Sequence, residues 1–340
     1  MQGDTMFASK IIKNRFSLTC LSLAAISLTW SSVSLAQSTN DFPNKPIRLV
    51  VAFAPGGSTD IAARILAQSL TGILKVPVFV ENKPGAGASI GTQYVANAAP
   101  DGYTYLVTSP SFIVNPLTMG PTAGYSPDKD FAPVSIPATQ PMAVVVNEKI
   151  PAKNLAELKD LSLKKDLSYA TAGNGTPPNL TCDNLFRQYW KADVTHIPYK
   201  GSGPALIASV SGETPIFCGA VAGVSQFVKQ GKVKVVAVSS DKRLSSMPDS
   251  PTFAEQGYPE IKDDLWVGVF APAKTPKETL LKMNQAISQA ITSKDVLEKL
   301  DQNDFITVGG TLEQTVESVQ KDLVRWDKTV KAIKAQPQAK

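Results

Sequence analysis

The chain has a single histidine, His196, and three cysteines in 340 residues. One imidazole excludes the usual His-based metal centres. A Ser-His-Asp triad would have to use His196, which sits in the strand-like run Val194 to Pro198 and has no GxSxG partner. It reads as a structural strand residue. Cys182 and Cys218 have neither CxxC form nor metal-ligand spacing. Neither GxxxxGK[ST] nor GxGxxG occurs in the stretch best suited to phosphates, which disfavours a nucleotide. The formal net charge is +5, but the basic residues form no cluster, which argues against nucleic acid. After residue 36 no stretch is long and apolar enough to cross a bilayer. No catalytic residue, metal site or cofactor is expected.

The first 36 residues stand apart from the rest. Lys10, Lys13 and Arg15 make a basic start, Leu18 to Trp30 an apolar run, and Ser34-Leu35-Ala36 a small-residue cleavage site. Together they read as an export signal, too short and too rich in Ser and Thr for a membrane anchor. Ser17-Leu18-Thr19 before Cys20 is a poor lipoprotein match. Removing residues 1–36, with Lys10, Lys13, Arg15 and Asp4, lowers the net charge from +5 to +3. That balance suits weak steering of a small anion. Cys182 and Cys218 can oxidise outside the cytoplasm, and geometry decides whether they pair.

The chain is organised around Arg48 to Leu70, RLVVAFAPGGSTDIAARILAQSL. Arg48 to Phe53 has the β-branched pattern of a buried strand. Pro55, Gly56 and Gly57 break it, and Ser58, Thr59 and Asp60 offer capping side chains. Ile61, Ile65, Leu66, Leu70, Ile73 and Leu74 follow at helical spacing. A strand, a glycine turn and a helix start gather free N–H groups at the positive end of a helix dipole, which forms an anion site. Asp60 reads as a helix-start residue more readily than as a general base.

Pro77 to Val80 is the next strand, leading into the glycine loop Glu81 to Ser89, a helix over about 90–98 and the strand Tyr103 to Thr108. This series predicts an α/β fold with a mostly parallel sheet whose loops gather at the carboxyl edge. Asn115 to Pro141 reads as an irregular, Pro-rich crossing between domains. Ala143 to Val146 is a strand, and Asn154 to Glu157 a capping box. A second series follows. It comprises the strand Leu167 to Ala172, the loop Gly173 to Pro178 and a helix over Asn179 to Trp190. After these come the strand Val194 to Pro198, the loop Tyr199 to Pro204, a helix to about Val210, and strands at Pro215 to Cys218 and Val233 to Val238. Asp241 to Glu260 is a second irregular connection and Trp266 to Phe270 a further strand. Thr275 to Glu278 and Thr311 to Gln314 read as capping boxes of two helices. The last helix carries Val316, Val319, Leu323, Trp326 and Val330 on one face.

Two such units imply a cleft whose loops offer backbone N–H groups and hydroxyls, a chemistry suited to a carboxylate. The candidate ligand-binding residues are Phe53, Pro55, Gly56, Gly57, Ser58, Thr59 and Asp60, then Gly87 and Ala88, then Thr108, Ser109 and Ser111. From the second unit come Gly173, Asn174, Gly175, Thr176 and Tyr199. Tyr199 and Phe112 are each open to a pocket-wall or a core role, and Lys200 to an anion-facing or a solvated one.

The segments KPIRLVVAFAPGGSTD, VENKPGAGASIGT, AAPDGYT, KDFAPV, YATAGNGT, HIPYKGSGPAL, GKVKVVAVSS and VGVFAPAKTPKE carry a resemblance that runs from about Phe42 to Val330. The chain resembles the Bug family, the TctC-like exported solute-binding proteins of tripartite tricarboxylate transporters. The resemblance implies a two-lobed type II periplasmic-binding-protein fold with the ligand cleft between lobes, lobe 1 being 41–142 plus 258–336 and lobe 2 143–257. It implies a periplasmic monomer that is not an enzyme and delivers a small organic acid to inner-membrane transporter subunits. The acid would be a mono- or dicarboxylate, aromatic acids included, held by the loops matching Pro55 to Asp60 and Gly173 to Thr176.

Two departures fall on the second-lobe wall. Pro177, Pro178 and Asn179 stand where the family usually has Ser-Ser-His, and Cys218 where it often has Asp. Cys218 therefore joins the candidate site, and the missing acid favours a plain carboxylate over a zwitterionic amino acid. If Cys218 bonds to Cys182 instead, the change is structural. A sensor that presents its liganded form to a signalling receptor is an alternative within this fold. An exported hydrolase using the glycine loops as an oxyanion hole is disfavoured by the lack of a nucleophile–base pair.

Overall fold

The computed structural model describes residues 42–335, so the export-signal reading of residues 1–36 lies outside the described residues. The chain opens with β1 (Ile47–Val51), an apolar run that is almost wholly buried, and α1 (Ser58–Leu74), whose Arg64 and Gln68 face solvent while Leu66 and Leu70 face the core. Next come β2 (Val78–Asn82), α2 (Ser89–Ala96), β3 (Thr104–Thr108), α3 (Ser111–Met119), β4 (Phe131–Thr139) and β5 (Met142–Asn147). The middle of the chain holds α4 (Leu155–Ser162), β6 (Leu167–Thr171), α5 (Pro177–Asp183), β7 (Val194–Pro198), α6 (Ser202–Ser211), β8 (Ile216–Ala220), α7 (Val224–Lys229) and β9 (Val233–Val238). It returns through β10 (Val267–Pro272), α8 (Lys277–Ile291), α9 (Lys294–Asp301), β11 (Ile306–Thr307) and α10 (Leu312–Ala335).

Two sheets result, in the orders β11-β4-β10-β3-β1-β2 and β7-β6-β8-β5-β9. Each contains the same motif. In the first, β1 lies between β2 and β3, parallel to both, with β10 antiparallel beyond β3. In the second, β6 lies between β7 and β8, parallel to both, with β5 antiparallel beyond β8. Each sheet with its helices forms a lobe around its own core. Residues of β5 alternate between two clusters, Met142, Val144 and Val146 on one face and Ala143 and Val145 on the other, as a sheet buried on both sides requires.

The lobes are joined where β4 runs into β5 and where the chain returns ahead of β10. These two crossings pair with each other. Pro141 bridges Asp264, and the Leu265 N–H donates to Gln140 O at 2.8 Å. Such a paired backbone is stiff along its length and can flex where the ladder ends.

Several sequence expectations need correction. Asn115 to Pro141 is not an irregular crossing, since it holds the end of α3 and all of β4 inside the first sheet. Pro133 and Pro137 argue against a strand, but β4 accommodates them with register shifts against β10 and with a two-residue neighbour in β11. The helix expected at Asn179 begins at Pro177 and continues as a π-helical segment, Asn184–Tyr189. Thr311 forms its capping box with Gln314, and Asn154 caps the Glu157 N–H while the Glu157 carboxylate accepts from the preceding Lys153 N–H. Thr275 forms no box, because α8 starts at Lys277 with Pro276 as its cap. On α10, Val316 is exposed whereas Val319, Trp326 and Val330 are buried.

Cys182 of α5 and Cys218 of β8 form a disulfide, with Cα atoms 6.6 Å apart and both residues fully buried. It pins α5 onto the second sheet. Closing a loop of 36 residues should stabilise the fold by about 3–4 kcal/mol through the denatured chain. We predict that Cys182→Ala/Cys218→Ala lowers the unfolding free energy by about that amount in urea titrations, with the far-ultraviolet spectrum preserved. A loss near zero would show that the bridge constrains neither state.

Candidate functional site

In a sheet of this order the chain leaves the first strand to one side and reaches the third on the other, opening a crevice between their carboxyl ends. That point lies between β1 and β3 in one sheet and between β6 and β8 in the other. A cavity of about 30 Å³ lies where the two crevices meet. Phe53, Gly57, Ser58 and Thr59 reach it from the turn after β1, and Ser109 and Ser111 from the turn after β3. Ala172, Thr176, Pro177 and Pro178 follow β6, Ala220 ends β8, Ser202 opens α6, and Leu265 and Trp266 precede β10. No lining residue carries a charge.

The polar end is the first turn of α1. Gly57 caps it with extended backbone and no side-chain hydrogen bond, so the Ser58, Thr59 and Asp60 N–H groups begin a helix with no carbonyl before them. The Asp60 carboxylate accepts from the Gly56 N–H (3.0 Å), from Arg64 Nε and a guanidinium NH2 (both 2.9 Å) and from Asn82 Nδ2 (2.8 Å). Burial works to raise its pKa, but hydrogen bonds from Arg64, Gly56 and Asn82 outweigh burial and hold it below the ordinary value. The Asn82 amide also donates to Phe53 O at 3.0 Å. Asp60 is thus a buttress behind the turn, with its acceptors spent away from the cavity.

The glycines do something the sequence did not indicate. A Cβ on Gly203 would stand 2.7 Å from Pro55 O and 2.9 Å from Gly57 N, and one on Gly57 would stand 3.1 Å from Gly203 N. Beside them the Ala54 N–H donates to Lys200 O at 2.8 Å. At the next loop a Cβ on Gly87 would meet Asn174 O at 2.5 Å. These residues bring the backbone of one lobe against that of the other. The described form is therefore closed.

On the second lobe the loop turns inward upon itself. Gly173 N–H donates to Thr171 Oγ1 (3.2 Å), Gly175 N–H to Asn179 Oδ1 (3.0 Å), and the Thr176 hydroxyl to Gly173 O (2.8 Å). Thr171 Oγ1 also lies 2.7 Å from His196 Nε2. Burial, with the nearby Arg187 charge, pushes His196 down to about 4, so its ring is neutral at pH 7.

Of the sequence candidates, Phe53, Gly57, Ser58, Thr59, Ser109, Ser111 and Thr176 line the cavity. Pro55, Gly56, Gly87, Gly173, Asn174 and Gly175 lie instead at or beside the seam between lobes. Ala88 packs in the first core, and Thr108 is fully buried beneath Ser109. Tyr199 turns its hydroxyl away to Thr214, 2.9 Å distant, and Lys200 is exposed. Phe112 is core, stacked on Tyr125 and Phe270. Cys218 is in the disulfide, so the structural alternative holds; Ala220, two residues on, is what β8 presents to the cavity. Residue 218 therefore gives no ground for rejecting an amino acid. Leu265, Trp266, Ser202, Ala172 and Ala220 escaped sequence reasoning. Ser202 lies within a loop already singled out, whereas Leu265 and Trp266 are distant in sequence and nothing local marks them.

Two lobes closing on an uncharged cavity at paired switch points define a type II periplasmic-binding-protein fold. Residues 62–335 match the family model described as the tripartite tricarboxylate transporter family receptor. The chain is 33% identical over 312 residues to protein BugT of Bordetella pertussis, covering 90% of this chain and 94% of that one. It is similar to the solved periplasmic binding protein BugD, with a TM-score of 0.82 and 31% identity, covering 87% of this chain and 99% of that one. It is similar also to MatC of Rhodopseudomonas palustris, solved with bound malate, with a TM-score of 0.80 and 32% identity, covering 85% and 100%. The chain belongs to this TctC/Bug family of periplasmic solute-binding proteins. No helix among the described residues is long and apolar enough to cross a membrane.

Gly203 has no positive φ, and the three atoms nearest to a Cβ there all belong to the opposing lobe. Gly203→Val is predicted to leave the melting temperature within a few degrees of wild type while enlarging the radius of gyration seen by small-angle scattering. An unchanged radius would place the seam elsewhere. His196 generates a pH prediction. Its folded pKa lies below the ordinary 6.5, so between about 6.5 and 4 the unfolded chain binds a proton that the folded chain does not. Stability from this residue is present above that window and is lost as pH falls through it. Melting profiles of wild type and His196→Gln should diverge there, with the variant the flatter; parallel profiles would contradict the shift.

Proposed function

We propose that the cavity captures a small organic carboxylate, which the α1 first turn and the hydroxyls of Ser58, Thr59, Ser109 and Ser111 hold by hydrogen bonds as the lobes close. The observation that carries the reading is a helix start with unspent N–H groups opening on a cavity that has no charge of either sign. MatC, solved with malate, supports it from outside. The lobes are 41–142 plus 258–336 and 143–257, and they move about the paired crossings at Gln140 and Leu265. A cavity of about 30 Å³ is too small for an organic acid, so the acid enters with the lobes apart and is held with them less fully closed than in the described form. Residues 1–36 direct export. The liganded monomer then hands its cargo to the membrane subunits of a tripartite tricarboxylate-type transporter. A plain acid is preferred to an amino acid because no acidic side chain lines the cavity to receive an ammonium group.

A thermal-shift panel of mono-, di- and tricarboxylates and amino acids, with mass spectrometry of the acid before and after incubation, tests this. Binding to the folded state raises the melting temperature by mass action. We expect a saturable rise with at least one plain acid and recovery of that acid unchanged. Stabilisation by none of them, or conversion of the acid to product, would overturn the proposal.

A further inference from the structure

The two ends of the cavity differ in how many donors they hold. On the first lobe, the α1 start is joined by four hydroxyl side chains, of which Ser109 donates to Ser111 Oγ at 3.1 Å, and Ser202 reaches the same end, its Cβ standing 3.5 Å from the position of a Cβ on Gly57. The second-lobe wall, by contrast, is nearly empty of donors. Six residues, 173 to 178, make the loop and the start of α5. Gly173 and Gly175 have given their N–H groups to Thr171 and Asn179. Pro177 and Pro178 occupy the first two helical positions and have no N–H to give. The Thr176 hydroxyl donates to Gly173 O. Of the loop and helix-start residues that line the cavity, Thr176 keeps its N–H; Asn174 and Asn179, the latter at the third position of α5, lie outside the lining. The other side chains that complete the lining, those of Ala172, Ala220, Leu265 and Trp266, turn carbon to it. Leu265 has an aliphatic side chain, and Trp266 directs its indole N–H away, to Asp322 on α10.

A carboxylate needs several donors or a cation when it leaves water, and an ionised one left with a single N–H pays a large desolvation penalty. The site can offer that company once. Resting on the reading that the cavity binds a carboxylate, we propose that it takes a monocarboxylate with an apolar body, the charge on the α1 start and the body against Pro177, Pro178, Leu265 and Trp266, and that it discriminates against the matching dicarboxylate. The two prolines are the specificity determinants, because they remove the first two N–H groups that a helix start would otherwise aim at a second anionic group. The disulfide at Cys182, within the same helix, holds that wall in place.

Calorimetry on the mature chain with three matched pairs tests this: butyrate and succinate, hexanoate and adipate, benzoate and terephthalate. In every pair that binds, the monocarboxylate should bind at least tenfold more tightly. A dicarboxylate that binds as tightly as its partner, or more so, overturns this inference while leaving carboxylate binding intact. Binding of no member of any pair overturns this inference, and carboxylate binding falls with it only if the thermal-shift panel also has no hit. The double variant Pro177→Ala/Pro178→Ala restores two N–H groups, and circular dichroism checks that it folds. It should narrow the gap within a pair by about tenfold, chiefly by tightening the dicarboxylate. A gap unchanged in the folded variant would remove the prolines from the proposal.

Discussion

Gly203 lies against the Pro55 carbonyl and the Gly57 amide, and a single added carbon would stand 2.7 Å from that carbonyl oxygen. This backbone-to-backbone contact is the constraint from which the site follows. Interiors are packed too tightly for a displacement of one carbon to be absorbed locally, so the alternative to contact is separation of the lobes. With contact, the first turn of α1 and the turn after β6 share one small cavity; without it, each faces water. The same economy recurs where Gly87 meets Asn174 O. Cavity-lining loops and closure surfaces are here the same loops.

The electrostatics are arranged behind the cavity instead of within it. Asp60 is negative, buried, and one turn from where an anion would sit, which would repel an anion were its charge not shared with Arg64 and bound by Gly56 and Asn82. Its four hydrogen bonds convert a residue that looks catalytic into one that sets the shape of the turn. The attraction that remains belongs to oriented peptide dipoles, which need no counter-charge and reorganise little when the lobes part. His196 plays a comparable role for the other lobe, a neutral ring against Thr171, which in turn holds Gly173.

Chain connectivity explains which candidates reach the cavity. The strands flanking the switch points, β1 and β3, β6 and β8, deliver most of the lining, whereas the turns after β2 and β7 supply seam residues and Ser202. Gly87 and Tyr199 were sound inferences from loop chemistry that end strands of the wrong rank in the sheet. The returning crossover adds Leu265 and Trp266 because it pairs with the outgoing one at Gln140, a contact between residues more than a hundred positions apart.

By itself, the sequence determined what is local. Buried strands of β-branched residues, the amphipathic α1, the helix caps at Asn154 and Thr311 and the glycine turns that end strands all follow from periodicities of two and 3.6 residues and from turn chemistry. The repetition of that pattern foretold two α/β lobes. Only the tertiary structure decided the rest, because it depends on which distant segments meet. β4 became a strand despite Pro133 and Pro137 because β10 and β11 flank it. Cys218 lies under α5, bonded to Cys182, and Ala220 took its expected place at the cavity. Gly57 and Gly203 each signal a turn when read alone; that they touch is a property of two sheets facing each other, which no window of sequence contains.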